Sequence, residues 1–436
     1  MSSQKVFTKD IFHGLPEFPE HDGKSYTAIV AGANGITGAH IVRALAESPS
    51  RWKTIYALSR RPPQSKLPSN VEHISIDLLE DPKTIAQKLR DRGVRADYAF
   101  FAAYIQPPPK PNEGLWSDVT ETERVNVLLL KNFLDALALS KSLPKRFLLQ
   151  TGGKHYGVHI GPTLTPMEES DPRYVREGNF YFSQEDLLWK WCEIHHVEWN
   201  VTRPGFIVGA VRDAAINIVY GLAIYASVQK ELGKKLEFPA DIAAWEAEKH
   251  LSSALLIGYH AEWAVLTDGV KNQALNISDD SLFTYGKFWP IFASWYGIDY
   301  QIPEQDPAKY QKVLMPRSPP PRGFGGPGEI NLSWSFEGWA AQPEVREAWK
   351  RLKARHSLVE NRDPFENAKD YLGMVDIDVL GPWGRSLSMG KNRKLGWHGY
   401  VDSHDALFKT IGELADLKMV PPVPGRRENH IHYHGY

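Results

Sequence analysis

Three glycines stand at a spacing that suits a phosphate-binding turn. Gly32, Gly35 and Gly38 follow a short β-prone run over residues 27–31 and open a stretch with one apolar face. Gly32 can take the positive φ of a sharp turn, and the missing Cβ of Gly35 would let a pyrophosphate approach the backbone. The N–H groups and the dipole of the following helix favour an anion there. The spacing therefore indicates a dinucleotide loop, with a glycine-rich turn of an ordinary α/β protein as the alternative.

A pair of arginines follows the next predicted strand, over residues 54–59. An acidic residue at this place would accept hydrogen bonds from the ribose 2′-hydroxyl of NAD. The chain instead has Ser59, Arg60 and Arg61, and two guanidinium groups can hold a 2′-phosphate through charge-assisted hydrogen bonds. The sequence thus predicts NADPH as the cofactor, and the alternative is a solvated basic turn.

A lysine and a tyrosine are the candidates for the reaction itself. Lys154 follows a predicted strand over residues 146–150, and ligands of open parallel sheets bind at the carboxyl ends of strands. Tyr181 stands at the start of a predicted helix. A hydroxyl can hydrogen-bond or protonate a substrate oxygen, and a nearby cation lowers the pKa of that hydroxyl. Each residue alone is better explained by a surface or core role, but together they favour reductase chemistry.

Six β-prone segments alternate with helical stretches, which is the pattern of a parallel sheet covered on both faces. The pattern predicts an α/β fold, a Rossmann-type doubly wound parallel sheet with a mainly helical C-terminal substrate lobe. Asn126, in a helix over residues 120–139, is a polar residue that could face the active site. The six predicted strands cover residues 27–31, 54–59, 71–76, 98–103, 146–150 and 199–202.

The predicted cofactor contacts lie in the loops that follow these strands. Asp77 would accept a hydrogen bond from the adenine amino group or, equally well, cap the next helix. Ala102 and Ala103 would let the cofactor approach the end of the fourth strand. The full predicted set is Gly32, Asn34, Gly35, Ile36, Gly38, Ser59, Arg60, Arg61, Asp77, Leu78, Ala102, Ala103, Thr151, Gly152, Lys154, Tyr181, Pro204, Gly205 and Ile207.

The chain changes character after residue 210, where helical patterns dominate. Helices are predicted over residues 214–231, 241–256, 259–267, 284–296, 344–354, 364–372 and 406–417, with a strand near 272–278 that returns to the sheet and a Pro/Gly loop over 315–328. The predicted division is an N-terminal arm on the surface (1–24), an NADPH-binding Rossmann domain (25–210), a substrate-binding lobe (211–423) and a tail (424–436).

Two motifs make a family resemblance specific. Residues 149–156 read LQTGGKHY and residues 179–186 read NFYFSQED. They resemble the LQTGxKHY and NFYYxxED motifs of the progesterone 5β-reductase/iridoid synthase family of atypical extended short-chain dehydrogenases/reductases. The SRRP and RPG segments at 59–62 and 203–205 resemble two further family motifs. The resemblance covers roughly residues 25–423, and the glycine spacing also resembles that of short-chain reductases.

The resemblance implies conjugate reduction of a hydrophobic enone or enal by NADPH. Hydride would reach the β-carbon of the activated C=C bond, and Tyr181 and Lys154 would stabilise the enolate oxygen, where one donor contributes roughly 3 kcal/mol. Most short-chain reductases carry Y-x-x-x-K on one helix, whereas Tyr181 has no lysine four residues later. Phe182 replaces the second tyrosine of the family motif, and an unusual loop follows the fourth strand. In iridoid-synthase-like members the reduced enol can also cyclise.

Other readings of the sequence stay open. The same fold serves carbonyl reductases, dehydrogenases and epimerases, and a non-catalytic NADPH-binding regulator would retain the cofactor motifs. His155 and Tyr156 are expected to be structural. A metal site formed by the alternate histidines of the tail is less favoured than an unstructured tail, so no metal ligand is predicted; these are His430, His432 and His434.

Composition excludes several classes of partner. The formal net charge of -1 indicates neither a nucleic acid nor a membrane surface. The single cysteine, Cys192, excludes a disulfide framework, behaves as a small buried hydrophobe and fits a reduced, cytoplasmic location. The apolar stretch over residues 214–228 is too short for a membrane span. The expected partner is a hydrophobic small molecule, and a homodimer is compatible with the sequence.

Overall fold

A computed structural model describes residues 5–18, 25–63, 66–110, 116–174, 178–212, 214, 216–359 and 363–425. These residues form sixteen β-strands and thirteen α-helices. The strands are β1 (Val6–Lys9), β2 (Phe12–Pro16), β3 (Tyr26–Ala31), β4 (Trp52–Ser59), β5 (Val71–Ser75), β6 (Tyr98–Phe101), β7 (Arg146–Gln150), β8 (Glu198–Pro204), β9 (Phe206–Val208), β10 (Leu236–Glu237), β11 (Lys249–Ser253), β12 (Gln273–Ile277), β13 (Leu282–Phe283), β14 (Tyr300–Gln301), β15 (Gln311–Leu314) and β16 (Glu329–Leu332). The helices are α1 (Ile36–Ala46), α2 (Pro82–Asp91), α3 (Val119–Leu139), α4 (Phe180–His195), α5 (Ile218–Glu231), α6 (Ile242–Glu246), α7 (Ala254–Leu266), α8 (Tyr285–Tyr296), α9 (Phe336–Ala340), α10 (Pro343–His356), α11 (Ala368–Val379), α12 (Gly390–Lys394) and α13 (Ser403–Asp416).

Seven parallel strands form the central sheet, in the order β5-β4-β3-β6-β7-β8-β12. Along β3, Ala28 and Val30 pack on one face of the sheet, whereas Ile29 and Ala31 pack on the other. α1 and α7 cover the first face, and α2, α3 and α4 cover the second. Both faces are therefore buried, as parallel sheets require, and the predicted doubly wound α/β class is confirmed.

The strand order reverses at β3, which pairs with β4 on one side and β6 on the other. Ligands of open α/β sheets bind in the crevice outside the carboxyl ends of the strands at such a point. The six predicted strands are confirmed, with ends that shift by two residues at most. The predicted returning strand is confirmed as β12, which pairs with β8 at the edge of the sheet.

The predicted helix over residues 241–256 is wrong beyond its first turns. α6 ends at Glu246, and the chain then enters β11, which pairs with β9 in parallel and with β13 in an antiparallel manner. This small sheet buries Leu251, Ser252 and Ser253. Strand formation here depends on partners distant in sequence, and such pairing overrides local helical spacing.

The described part of the predicted N-terminal arm is not a simple surface segment. β1 and β2 form an antiparallel hairpin, and Phe12 and Leu15 are buried in the core. The ring of Phe12 lies 5.7 Å from that of Tyr259 in α7. The hairpin is therefore anchored on the helix that covers the sheet. Residues 1–4 and 19–24, and the histidines of the tail, lie outside the described residues.

The C-terminal lobe is organised around α5, which is buried on nearly every side. The ring of Tyr225 contacts those of Trp289 in α8 and Phe336 in α9. A helix that is apolar all round requires such cover from its neighbours. Within the described ranges, no helix combines the length and apolar character that crossing a membrane would need. The helix predicted over 364–372 starts later and extends further, as α11.

The predicted Pro/Gly loop over residues 315–328 joins β15 to β16, which pair as an antiparallel hairpin. It contains no regular element, as its composition indicates. The loop nevertheless docks on the segment after Lys154, since the backbone N–H of Arg322 donates to the carbonyl of Pro162 at 3.1 Å. The loop is thereby placed beside the segment that follows the candidate lysine.

Gly38 provides a test of how closely α1 must pack on the turn before it. A Cβ at Gly38 would collide with the carbonyl oxygen of Gly32. We expect Gly38→Ala to lower the free energy of unfolding by about 1–3 kcal/mol, measured by chemical denaturation. Gly412→Ala is the matched control, because its added Cβ meets open space in α13 and should stabilise by about 0.5–1 kcal/mol. Equal changes in both variants would contradict the packing argument.

Candidate active site

A cavity of about 420 Å³ lies at the carboxyl ends of the central strands, and residues of the C-terminal lobe also line it. Gly38 is the exception among the predicted cofactor residues, because it packs against Gly32 beneath the turn. The predicted residues that line the cavity are Gly32, Asn34, Gly35, Ile36, Ser59, Arg60, Arg61, Asp77, Leu78, Ala102, Ala103, Thr151, Gly152, Lys154, Tyr181, Pro204, Gly205 and Ile207.

The glycine loop leaves room and donors for a phosphate group. Gly32 has a φ of 82°, and a Cβ there would lie 2.7 Å from the backbone of Ala103 at the end of β6. Gly35 is the N-cap of α1, and within this fully described helix no side chain caps its first N–H groups. The dipole and those N–H groups face the turn, so the loop fits the pyrophosphate of a dinucleotide.

The arginine turn is held by its backbone, and the guanidinium groups are left exposed. Ser59 Oγ and Asn34 Nδ2 both donate to the carbonyl of Arg61, at 2.8 Å. Ser75 Oγ donates to the carbonyl of Arg60 at 3.0 Å. Asn34 therefore links the glycine loop to the arginine turn, which places both along one side of the cavity.

The positions of Asp77 and Asn126 differ from part of what the sequence predicts. The N-cap of α2 is Asp81, whose side chain accepts from the N–H of Lys83, so Asp77 does not cap that helix. Asn126 is fully buried and does not face the cavity, because its side chain accepts from the N–H of Ile105 and donates to the carbonyl of the same residue. It holds the loop after β6 instead.

Lys154 and Tyr181 reach the cavity from two elements that one side chain joins. Lys154 lies in a short 3₁₀ turn after β7, and Tyr181 lies in the first turn of α4. Asn179 caps α4 by accepting from the N–H of Tyr181 at 3.1 Å, and its Nδ2 donates to the carbonyl of Lys154 at 2.8 Å. The Tyr181 hydroxyl lies over Gly152, where an added Cβ would be 3.1 Å away.

The Lys154 ammonium is buried without an opposite charge. Burial lowers the pKa of Lys154 well below its ordinary value, and among the described residues no carboxylate lies within 4.0 Å of Nζ. Its contact is the indole ring of Trp116, whose centroid lies 3.0 Å from Nζ. Burial also raises the pKa of Tyr181. Lys154 and Tyr181 are therefore both desolvated in the cavity, where a developing oxyanion would favour the protonated form of the lysine and accept from the neutral hydroxyl.

Comparisons with known proteins fit this arrangement. The family model for the PRISE-like Rossmann-fold domain matches residues 28–314. The chain belongs to the PRISE-like family. The short chain dehydrogenase gsfE of Penicillium aethiopicum is 30% identical over 402 residues, covering 91% of this chain and 99% of the relative. An (S)-8-oxocitronellyl enol synthase of Nepeta racemosa is 30% identical over 409 residues, covering 90% and 93%.

Two more distant comparisons extend this result. The 3-oxo-Delta(4,5)-steroid 5-beta-reductase of Arabidopsis thaliana is 26% identical over 409 residues, covering 90% of this chain and 93% of the relative. The solved UDP-glucose 4-epimerase of Thermotoga maritima has a TM-score of 0.55 at 14% identity, with 89% of this chain and 99% of the epimerase covered, and it supports the fold alone. The PRISE-like chain is an oxidoreductase with a nicotinamide dinucleotide site.

Side chains of the two PRISE-like motifs join two arginines in a largely buried network of charged groups. We call this network the brace; its members are His155, Arg173, Glu185 and Arg203. Glu185, in α4, lies 3.0 Å from Arg203 Nη2, 2.9 Å from Arg173 Nη2 and 3.4 Å from His155 Nδ1. Burial alone would raise the pKa of Glu185, but the nearby His155 ring and the Arg203 and Arg173 guanidinium groups lower it to about 2. This network connects α4, β8 and the Lys154 turn, so it sets the position of the lysine.

Tyr156 extends this PRISE-like brace to the returning strand. Its hydroxyl donates to Asn276 Oδ1 in β12 at 2.6 Å, and the backbone N–H of Asn276 donates to Glu169 at 2.7 Å. His155 and Tyr156 are both buried. Their positions are those of structural residues, as the sequence predicts.

Several cavity residues have no signal in the sequence. Trp116 stands in the unusual loop after β6, and its Nε1 donates to the hydroxyl of Tyr104 at 3.1 Å. Lys249, Asp378 and Arg385 line the part of the cavity contributed by the C-terminal lobe. Lys249 falls in a segment with helical spacing, and long-range contacts alone bring these residues to one site.

Cys192 lies outside the cavity. Cys192 is buried among the residues that cover the sheet, and burial raises the pKa of its thiol to about 12. An unreactive thiol of this kind agrees with the predicted hydrophobic role. Within the described ranges, no cluster of histidine, cysteine or carboxylate side chains has the composition of a metal site.

Glu185→Gln tests the brace. The substitution leaves two guanidinium groups buried beside a neutral amide, so we expect the free energy of unfolding at pH 7 to fall by about 3–5 kcal/mol. Because the folded pKa of about 2 lies below the ordinary 4.5, the carboxylate stabilises the fold above pH 4.5 and this contribution is lost as pH falls toward 2. Denaturation at several pH values should show that acid dependence in the wild type, reduced in the variant.

The matched control is Glu121→Gln, which removes an exposed carboxylate paired with Arg124 on the surface of α3. Its unfolding midpoint should stay close to the wild-type value, because exposed ion pairs contribute little. An acid dependence in Glu185→Gln identical to that of the wild type would contradict the proposed role of the carboxylate.

Proposed function

We propose that the protein reduces the activated C=C bond of a hydrophobic enone or enal with NADPH. The observation that supports this most directly is that Lys154 and the neutral Tyr181 hydroxyl are both desolvated in one cavity with the glycine loop. A buried cation without a carboxylate partner favours a ligand that develops negative charge during the reaction. The enolate oxygen of a conjugate reduction is such a ligand.

The residues present fit the cofactor. The glycine loop and the N-terminus of α1 suit the pyrophosphate, and Arg60 and Arg61 are exposed along the cavity where a 2′-phosphate would require cations. Pro204 at the end of β8, Gly205 after it and Ile207 in β9 would contact the nicotinamide end. When bound, NADPH supplies a hydride to the β-carbon of the substrate.

The chain's own groups then act on the carbonyl oxygen. The Tyr181 hydroxyl donates a hydrogen bond to this oxygen, and the Lys154 ammonium supplies the positive charge that stabilises the enolate. The raised pKa of Tyr181 keeps the hydroxyl protonated at neutral pH, so it acts as a donor. Protonation of the α-carbon from solvent completes the saturated carbonyl product.

The apolar lining of the cavity supports the substrate class. Phe206 and Ile207 follow β8, and the C-terminal lobe adds aliphatic side chains that exclude water from the reacting carbons. These surroundings favour a hydrophobic body over a sugar nucleotide. The aliphatic residues that the lobe contributes are Ile216, Met374, Ile377 and Leu387.

Ordinary carbonyl reduction is the second candidate, and the structure gives it less support. The position four residues after Tyr181 holds Glu185 and not a lysine. Glu185 is paired with Arg203 inside the protein, so this position supplies no cation to the cavity. NADPH oxidation with an enone and its saturated ketone separates the two. Reduction of the enone to the saturated ketone supports the proposal, reduction of the ketone to the alcohol overturns it, and cofactor binding without oxidation indicates a regulator.

Lys154→Met and Tyr181→Phe test the two catalytic roles. Each removes one donor to the enolate oxygen, so each should reduce kcat for the enone roughly 100-fold, which corresponds to about 3 kcal/mol. NADPH binding, followed by fluorescence, should remain. Lys145→Met is the matched control, since its ammonium lies 5.5 Å from the Tyr26 ring, away from the cavity. Full activity in either catalytic variant contradicts the assigned role.

Arg60→Ala combined with Arg61→Ala tests the choice of cofactor. Loss of two cations should weaken NADPH binding by at least tenfold and leave NADH binding nearly unchanged, since only NADPH carries the 2′-phosphate. Dissociation constants for both cofactors provide the measurement. Arg90→Ala with Arg92→Ala removes the same charge at the end of α2 and should change neither value. Equal losses for NADPH and NADH in the first variant would remove the 2′-phosphate argument.

A further inference from the structure

A buried cluster of charged residues forms part of the cavity wall in the C-terminal lobe. Lys249 of β11, Asp378 of α11 and Arg385 of the following segment all line the cavity, and they are 1%, 1% and 7% exposed. Buried charges are costly unless they are paired. The proposed reduction makes no use of these three side chains.

Asp378 is already fully engaged inside the protein. Its Oδ1 accepts from Arg385 Nη2 at 2.5 Å, and its Oδ2 accepts from the Tyr285 hydroxyl at 2.5 Å. Its backbone carbonyl accepts from both Arg385 Nη2, at 2.7 Å, and Lys249 Nζ, at 2.5 Å. One carboxylate therefore faces two basic groups.

Donors remain after these contacts. Arg385 Nε is buried and has no hydrogen-bond partner in the described part of the chain. The guanidinium also lies over the Phe206 ring, 5.0 Å from its centroid. Phe206 begins β9, directly after Gly205, one of the predicted cofactor contacts. Burial, and then the charge of Arg385, lower the pKa of Lys249 to about 7, as expected for a cation whose counter-charge is used elsewhere.

The backbone holds the two basic residues side by side. Lys249 and Arg385 form an isolated parallel bridge, in which the N–H of Arg385 donates to the carbonyl of Glu248 at 2.9 Å. The N–H of His250 donates to the carbonyl of Arg385 at 3.2 Å. The main chain therefore fixes the two basic residues side by side in the wall of the cavity.

We infer that Lys249 and Arg385 bind a carboxylate of the substrate. The substrate class is then a hydrophobic enone or enal with a second, anionic end, held by the C-terminal lobe while Tyr181 and Lys154 act on the carbonyl oxygen. A carboxylate would balance the second cation and supply an acceptor for Arg385 Nε. Naming this group as part of the reduced substrate rests on the proposed function, whereas carboxylate binding does not.

The test uses the full chain with a matched pair of probes. One is a straight-chain enone with a terminal carboxylate, and the other is its methyl ester. Wild-type kcat/KM should favour the acid by roughly tenfold or more, since hydrogen bonds to charged groups are the stronger ones. Lys249→Met should remove most of this preference by raising KM for the acid. An equal kcat/KM for acid and ester in the wild type overturns the inference.

Binding separates this inference from the proposed reaction. The saturated keto acid and its ester cannot be reduced at a C=C bond, so their affinities for the NADP⁺-loaded protein can be measured by calorimetry. Tighter binding of the keto acid that is lost in Lys249→Met supports the carboxylate site even if no enone is reduced. Reduction of both enones without any preference for the acid in binding supports the reaction and overturns the site.

Two further variants control for structural damage. Lys391→Met removes a half-buried lysine that also donates to a carbonyl, that of Ala274 at 2.7 Å, outside the cavity, and should retain the preference for the acid. Arg385→Lys keeps a cation beside Asp378 but removes the Nε donor. This variant should bind the keto acid more weakly and the ester as before. An unchanged affinity for the keto acid overturns the role of Arg385.

Discussion

The side-chain amide of Asn179 joins the two elements that carry the proposed reaction. Its oxygen accepts from the first turn of α4 and its nitrogen donates to the carbonyl of Lys154, so both catalytic candidates take their positions from one residue. An amide can do this because it is donor and acceptor at once. Neither the lysine turn nor the helix start could set the distance between the two side chains by itself.

Glu185 and Lys154, the acidic and basic residues of the two motifs, lie in different surroundings. The anion of the motif, Glu185, lies behind the cavity, where Arg203 and Arg173 neutralise it. Lys154 lies in the cavity beside the Trp116 ring and, in the part of the chain that the structure describes, without a carboxylate partner. A lysine paired with Glu185 would have no charge left for a substrate. The brace therefore both positions the Lys154 turn and keeps the Glu185 charge out of the cavity lining.

Two separate parts of the chain line the cavity. Loops after the parallel strands supply the phosphate-binding and nicotinamide side, as the reversal of strand order at β3 requires. The other side comes from elements that return to the sheet late in the chain, including β11 and the segment after α11. The proposed reaction thus takes place on the sheet side of the cavity, and the proposed carboxylate site lies on the side of the lobe.

Sequence alone determined the dinucleotide loop, the arginine turn, the six strands and the order of Lys154 and Tyr181. These features depend on local spacing: glycine at a turn, alternation along a strand, a cap before a helix. Tertiary structure alone decided that residues 249–253 form a strand, that Trp116 covers Lys154, and that Lys249 meets Arg385. Each of these joins segments far apart in the chain, and the free energy of such contacts comes from burial and pairing that no local pattern encodes.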